Sequence, residues 1–264
     1  MVPHIGTLTR TLSVSLERLY ENALDWEHLP WLHSSSFASI EIIEEGDWGW
    51  HALASLTGTE PPVFVELELR LDREARRWIT TTLDGPGAGG ETWTHAFAVG
   101  ERETYIVIDF FAPGLEEGMH EAARETLRNL YVQLYDEDEA MMLDRQAALD
   151  ERRARPEEDP PALWPVGSED DVRRALPLMV DAWNQSWRLI DVEGKLVAHA
   201  ARCPHRLGSL ADASVDGREV ICPWHGYRFD VTTLACTTGA RCRLPEAPGV
   251  RVEGERVVLR RPGT

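Results

Sequence analysis

Two short segments near the carboxyl end of the chain each contain one cysteine and one histidine. The first reads Cys203-Pro204-His205, and the second, sixteen residues later, reads Cys222-Pro223-Trp224-His225. All four cysteines lie in the last quarter of the sequence, at Cys203, Cys222, Cys236 and Cys242. Thiols clustered in this way are poorly placed to crosslink a secreted fold, and they favour metal binding. The two segments predict loops that face each other around a metal centre, whereas Cys236 and Cys242 are predicted to be ordinary thiols.

The length of 264 residues and one proline-rich stretch divide the chain into two domains. Two domains, each with its own core, are usual at this length. The stretch from Asp150 to Pro165 carries many charges and four prolines, which a helix cannot accommodate. We predict an N-terminal domain over residues 1–155, a semi-extended linker over residues 156–163 and a C-terminal domain over residues 164–264.

Alternating apolar and polar residues in the first half predict an antiparallel meander. An alternating strand at about Thr11–Leu16 precedes a short helical segment that runs to His33. Later strands are predicted at Ala38–Glu45, Trp48–Leu56, Val63–Leu71, Arg76–Leu83, Thr92–Val99 and Thr104–Phe111. From Leu115 to Arg153 the apolar residues recur at helical spacing. This half is therefore predicted to be an α+β unit in which a long helix closes over a curved sheet.

The C-terminal half shows a different pattern, with short strands and long loops. Strands are predicted at Ser186–Val192 and Leu196–Ala200, and the loops around them hold every cysteine. The fold class of the chain is therefore α+β, with an all-β domain at its carboxyl end.

The two Cys-plus-His segments resemble the ligand loops of Rieske domains. The resemblance extends from about Trp164, through the Cys-Pro-His-Arg loop, to a closing strand near Val258. It implies a 2Fe-2S cluster in which Cys203 and Cys222 bind one iron while His205 and His225 bind the other. The alternative is a structural zinc site, but such sites usually take both cysteines from one loop and both histidines from another.

The residues around these ligands indicate a low-potential cluster. High-potential Rieske proteins carry an extra cysteine in each loop and a serine that bonds a cluster sulfide. Those positions read Gly208, Trp224 and Tyr227 in this chain. Because fewer hydrogen bonds reach the sulfur atoms, reduction is less favourable, and a cluster of the oxygenase or ferredoxin kind is expected.

A segment of the first half resembles the iron-binding segment of Rieske non-haem oxygenases, Glu-x3-Asp-x2-His-x4-His. It reads Glu21-Asn22-Ala23-Leu24-Asp25-Trp26-Glu27-His28-Leu29-Pro30-Trp31-Leu32-His33. His28 and His33 can converge from successive turns and supply two nitrogen ligands to a mononuclear Fe(II). The resemblance implies that Asp25 links a cluster histidine to an iron-ligating histidine, as an electron-transfer bridge. It also implies a helix-grip (START-like) fold for the catalytic half.

A carboxylate on the long helix is expected to be the third ligand of this iron. The helix carries the acidic run Asp136-Glu137-Asp138-Glu139. Helical periodicity places Asp138 near the middle of the apolar face and Glu139 at its edge. Asp138 is therefore the favoured ligand, with Glu139 as the alternative. Asp136 and Glu137 are predicted to point outward into solvent.

These features predict a Rieske non-haem iron mono- or dioxygenase. Electrons passed through the cluster would be used to activate O2 at Fe(II). The activated oxygen would hydroxylate or dealkylate a small organic molecule, and aromatic compounds are one candidate class of substrate. A flavin- or ferredoxin-type reductase is expected as partner, because the chain has no nicotinamide or flavin fingerprint. The alternative is a non-catalytic Rieske electron carrier or redox sensor fused to a domain that binds a hydrophobic ligand.

The domain order is the reverse of the usual order in this family, since the catalytic half comes first. The resemblance implies a homo-oligomer, with a trimer favoured, in which electrons cross between subunits. The linker would also allow a cluster to reach the iron of its own chain. The sequence leaves both routes open.

The formal charge of −18 excludes several classes of partner. Such a surface repels phosphate backbones and anionic lipids, so neither nucleic acid nor membrane is expected to bind. No apolar run approaches the length that crosses a bilayer, and residues 1–12 do not read as a leader. We expect a cytoplasmic protein.

Overall fold

A seven-stranded antiparallel sheet forms the framework of the N-terminal half, in a computed structural model that describes residues 2–153 and 161–263. The strand order is β1-β7-β6-β5-β4-β3-β2, so β2 to β7 form a meander and β1 joins it beside β7. The strands are β1 (His4–Leu12), β2 (Phe37–Gly46), β3 (Gly49–Leu56), β4 (Phe64–Asp72), β5 (Arg77–Asp84), β6 (Glu91–Gly100) and β7 (Glu103–Phe111).

Two short helices connect β1 to β2, and a long helix follows β7. These are α1 (Leu16–Ala23), α2 (Leu29–Leu32) and α3 (His120–Arg153), with 3-10 turns at Trp26–His28 and Glu117–Met119. The prediction of an α+β helix-grip fold, with a curved sheet and a long closing helix, is confirmed.

Packing of α3 on the sheet follows from the alternation of residues along the strands. Ile106, Ile108 and Phe110 of β7 are fully buried on one face. Tyr131 and Tyr135 of α3 belong to the same apolar cluster. Their hydroxyl groups hydrogen-bond Thr92 and Thr94 of β6, which gives the buried phenols polar partners. Apolar burial and these two hydrogen bonds together fix the rotation of α3 about its axis.

The predicted first strand was wrong in its position. The sequence indicated a strand at Thr11–Leu16, but β1 ends at Leu12 and α1 begins at Leu16. Ser15 is the N-cap of α1, and its side chain accepts a hydrogen bond from the Arg18 backbone N–H at 3.3 Å. A serine that satisfies an open N–H group favours a helix start over strand continuation.

The C-terminal half consists of three small sheets of three strands each. Their strand orders are β11-β10-β9, β12-β13-β14 and β15-β16-β8. The strands are β8 (Leu163–Ser168), β9 (Leu178–Ala182), β10 (Gln185–Val192), β11 (Lys195–Ala200), β12 (Val215–Asp216), β13 (Glu219–Ile221), β14 (Arg228–Asp230), β15 (Gly249–Glu253) and β16 (Arg256–Arg260). A short helix, α4 (Glu169–Arg174), interrupts this otherwise all-β domain.

The described residues divide into two compact units, of which the first ends at Leu143 and the second begins at Asp144. Residues 156–160 of the predicted linker lie outside the described residues, and its last residue, Leu163, begins β8. Within residues 2–153 and 161–263, no helix is both long enough and apolar enough to cross a bilayer.

His199 on β11 provides a test of acid stability in the C-terminal unit. Its side chain is fully buried, and its Nδ1 lies 2.9 Å from the Ala200 carbonyl oxygen. Burial lowers the pKa of His199 to about 4. The unfolded chain therefore takes up this proton at a higher pH than the folded chain does. The contribution of His199 to the free energy of unfolding is therefore fully present above about pH 6.5 and is lost as the pH falls towards about 4.

We expect this histidine to account for about 2 kcal/mol of lost stability between about pH 7 and pH 5. His199→Asn retains a donor for the Ala200 carbonyl and does not titrate. The thermal midpoint of the wild-type protein should therefore fall further over this interval than that of the variant. Equal falls in both proteins would contradict the assignment.

Candidate metal centres

The two cysteine loops of the C-terminal unit have the same backbone geometry. In the first loop, the Cys203 N–H donates to the Gly208 carbonyl at 2.8 Å, and the Leu207 N–H donates to the Cys203 carbonyl at 3.0 Å. In the second, the Cys222 N–H donates to the Tyr227 carbonyl, and the Gly226 N–H to the Cys222 carbonyl, each at 2.9 Å. Each loop thus turns back on its own cysteine.

The turn in each loop depends on one residue in the left-handed region of backbone space. Leu207 has φ of 66° and Gly226 has φ of 65°, and each lies four positions after its cysteine. Glycine adopts this conformation without steric cost, whereas leucine rarely does. The strained Leu207 is held by its backbone hydrogen bond and by burial in the core.

The loops bring the four predicted cluster ligands together as two like pairs. Cys203 and Cys222 have no exposed surface, and their thiols hydrogen-bond each other. The His205 and His225 rings lie with centroids 4.7 Å apart and planes at 77°. A thiol pair beside an imidazole pair fits the donor set of a Rieske 2Fe-2S cluster.

The two thiols are electrostatically coupled through this hydrogen bond. The hydrogen bond between the two thiols lowers the pKa of Cys222 and raises that of Cys203. Thiolate is the form that binds iron.

A second group of donors lies in the N-terminal unit. His28 ends the turn Trp26–His28, His33 caps the end of α2, and Asp138 lies on α3. The Asp138 Oδ1 atom is 3.1 Å from His33 Nε2 and 3.4 Å from His28 Nε2. One donor atom from each of these residues lies within 4.8 Å of the others. The three residues are buried, with 1 to 8% of their surfaces exposed.

Electrostatics stabilise the charged form of Asp138 in spite of its burial. Burial raises the pKa of this carboxyl, but hydrogen bonds from His28 and His33 outweigh it and hold the pKa well below its usual range. Burial lowers the pKa of His33, whereas the two neighbouring carboxylates raise it, and the net shift is upward. The Asn22 amide also donates to Asp138 Oδ1 at 3.0 Å. A buried anion is thus oriented by three side chains.

The sequence prediction for Glu137 was wrong. Glu137 was expected to point into solvent, but its Oε2 lies 2.6 Å from His33 Nδ1. Helical periodicity could not show this contact, because it does not tell where the chain outside the helix places His33. His33 thus has a carboxylate partner at each ring nitrogen, Glu137 at Nδ1 and Asp138 at Nε2.

The other two acidic residues of the run bind a cation from the sheet. Arg10 of β1 donates to Asp136 Oδ1 and to Glu139 Oε2, each at 2.5 Å. The Ser13 backbone N–H donates to Glu139 Oε1 at 2.7 Å. Asp136 is therefore ion-paired, although its side chain is 62% exposed. Both carboxylate oxygens of Glu139, the alternative ligand, thus accept hydrogen bonds from groups other than the two histidines.

Asp25, the predicted bridge, is 4% exposed and directly precedes the turn that carries His28. The predicted link from Asp25 to a cluster histidine stays a prediction. Glu21, which begins the sequence pattern, forms an ion pair with Arg18 on the same helix.

A known protein family matches the C-terminal domain. Residues 162–258 match the Rieske [2Fe-2S] domain family. The ferredoxin component of the naphthalene 1,2-dioxygenase system of Pseudomonas aeruginosa is 37% identical over 71 residues, which are 27% of this chain and 68% of that protein. The ferredoxin component of the naphthalene 1,2-dioxygenase/salicylate 5-hydroxylase systems of Ralstonia sp. is 32% identical over 91 residues, 34% of this chain and 88% of that protein.

Among solved structures, Zhui aromatase/cyclase from Streptomyces sp. R1128 is similar with a TM-score of 0.45 and 18% identity. The match covers 56% of this chain and 98% of that one.

The cysteine loops and the family match define a protein that transfers electrons through an iron-sulfur cluster. The chain belongs to the Rieske [2Fe-2S] domain family, and its C-terminal domain is a Rieske domain with a 2Fe-2S cluster. The paired arrangement of thiols and imidazoles favours this cluster over the structural zinc site considered from the sequence.

Gly208 offers a test of how the cluster loops pack. A Cβ atom at this position would lie 2.8 Å from the Trp224 ring, which is 7% exposed. We expect Gly208→Ala to push the two loops apart and to lower cluster content severalfold, measured as acid-labile sulfide per chain. Gly118→Ala is the control, because a Cβ atom added at Gly118 would meet no atom within 4 Å. Gly217→Ala is unsuitable as a control, because the φ of 60° at Gly217 would strain an alanine. Full sulfide content in Gly208→Ala would contradict this packing.

Proposed function

We propose that this chain is a Rieske-type non-haem iron oxygenase, in which the cluster passes electrons to a mononuclear Fe(II) held by His28, His33 and Asp138. The observation that carries the proposal is the convergence of two imidazole nitrogens on one buried carboxylate oxygen, at 3.1 and 3.4 Å. Two histidines and one carboxylate are the donor set typical of non-haem Fe(II) oxygenases. A buried anion is costly without a cation, and a metal would remove that cost.

The chain's own residues preorganise this site. Glu137 accepts from His33 Nδ1 and so directs Nε2 at the metal position. Asn22 fixes one oxygen of Asp138. Ligands held by hydrogen bonds to neighbouring residues bind metal more tightly than free side chains do, because less orientational freedom is lost on binding.

Bound iron would supply O2 activation, and the protein residues would position the substrate and exclude water. Tyr131, Tyr135 and Trp50 lie in the apolar cluster between α3 and the sheet, so this part of the unit is aromatic. We propose a small organic substrate, with aromatics as the first class to test. A flavin- or ferredoxin-type reductase would supply electrons to the cluster, and buried Asp25 would be the bridge between the two metal centres.

A second candidate function is that of an electron carrier or redox sensor without a catalytic iron. Its support is that the two relatives from Pseudomonas aeruginosa and Ralstonia sp. are ferredoxin components of dioxygenase systems. In this case the cluster of His28, His33 and Asp138 would be an internal ion pair that stabilises the fold. Iron content distinguishes the two functions.

Loss of one histidine should remove one iron and spare the cluster. Oxygenase function requires one iron per chain beyond the two of the cluster. His28→Ala should lose that iron and keep the visible and electron paramagnetic resonance spectra of the cluster. The ferrous wild-type protein should also bind nitric oxide, a probe of open Fe(II) positions, and the variant should not.

His51→Ala is the matched control, because His51 bonds Glu66 at 2.7 Å on the sheet and is not part of the trio. It should retain the third iron and the nitrosyl signal. Naphthalene serves as a test aromatic. Adding it should increase oxygen uptake by the reduced wild-type protein and by His51→Ala, which retain the third iron, but not by His28→Ala. Two irons in fully loaded wild-type protein would refute the oxygenase and leave the carrier.

Glu137 should be a positioning residue for this iron. Glu137→Gln keeps the shape of the side chain and removes the charge that His33 Nδ1 faces. We expect affinity of the mononuclear site for Co(II), followed by its visible absorption, to fall by about tenfold.

Asp136→Asn is the neighbouring control, since Asp136 contacts Arg10 and neither histidine. Its Co(II) affinity should match the wild type. If both variants bind Co(II) equally well, Glu137 does not orient His33.

A further inference from the structure

Two cysteines outside the cluster loops lie next to a one-pair antiparallel ladder. Ala235 pairs with Arg243 in this ladder, and the Leu244 N–H donates to the Leu234 carbonyl at 2.9 Å. In an antiparallel pair the next residue of one strand faces the previous residue of the other. Cys236 therefore faces Cys242.

A regular antiparallel register would bring the two cysteines within reach of a disulfide. Residues opposed in an antiparallel pair have Cα atoms about 4.5–5.5 Å apart, which lies within the range of about 4.4–6.8 Å found for disulfides. The two thiols hydrogen-bond each other, and both are free and partly exposed. The Cys236 sulfur also lies 3.2 Å from the Thr238 hydroxyl.

The ladder is attached to the strand that leaves the second cluster loop. Phe229 of β14 pairs with Cys236, and the Thr237 N–H donates to the Arg228 carbonyl at 2.9 Å. Burial and the Cys236 thiol both raise the pKa of Cys242, and the charge of Cys222 also contributes. The dithiol is thus separate from the cluster ligands but close enough to sense their charge.

We propose that Cys236 and Cys242 are a redox-active dithiol that forms a reversible disulfide by exchange with low-molecular-weight disulfides. The thiolate of one cysteine attacks a sulfur of the small disulfide and releases one small thiol. The second cysteine then displaces the other small thiol and closes the Cys236–Cys242 bond. One small disulfide is reduced to two small thiols, and the two protein thiols are oxidised.

The disulfide would connect the two strands of the ladder covalently beside the cluster domain's β14. A reducing thiol pool keeps the pair open, and an oxidising shift closes it. This inference does not depend on the proposed mononuclear iron.

The test uses the cluster-loaded protein and oxidised glutathione as the probe. After incubation, free thiols are alkylated, and the protein is digested with trypsin. Trypsin cleaves after Arg241, between the two cysteines, so the peptides 229–241 and 242–243 stay together only if the disulfide has formed. We expect the linked species to exceed the doubly glutathionylated form by at least about tenfold, because the second step is intramolecular. Dithiothreitol should separate the two peptides, and the cluster spectrum should persist.

Cys236→Ser and Cys242→Ser are matched controls, since neither residue is a cluster ligand in the proposed set. Each variant should carry one glutathione on the remaining cysteine and yield no linked peptide. Separate peptides in the oxidised wild-type protein, or a bond between two chains seen as a dimer on non-reducing gels, would overturn the proposal. Loss of the cluster together with a Cys203–Cys222 bond would also overturn it.

Discussion

The N-terminal unit depends on how α3 lies against the sheet. Tyr131 and Tyr135 are packed in the core and hydrogen-bond Thr92 and Thr94 of β6, so α3 cannot rotate without leaving buried hydroxyl groups unpaired. This rotation places Asp138 inside the unit. The polar groups around Asp138 have a defined geometry because the packing of the apolar face determines the rotation of α3.

The acidic run on α3 shows how one rotation gives adjacent residues different partners. Asp138 contacts two imidazoles, Glu137 contacts the far side of one of them, and Asp136 and Glu139 share Arg10. Arg10 carries one positive charge and so offsets only part of the negative charge of these two carboxylates.

Much of this could be predicted from the sequence, because the signals are local or periodic. Alternation placed the strands β2 to β7, and helical spacing placed Asp138 on the buried face of α3. The start of α1 and the role of Glu137 could not be predicted in the same way. The first depends on a competition between strand pairing and the Ser15 cap, and the second on where α2 leaves His33 beside α3. The contact of Arg10 with two residues more than 120 positions later is likewise set by tertiary structure.

The four predicted cluster ligands differ in their exposure to solvent. Cys203 and Cys222 have no surface in contact with water, whereas His205 is partly exposed. Water and solutes therefore reach this group of ligands at His205, whereas His225 is only 5% exposed. A cluster held by these residues would be open to its surroundings on one edge only.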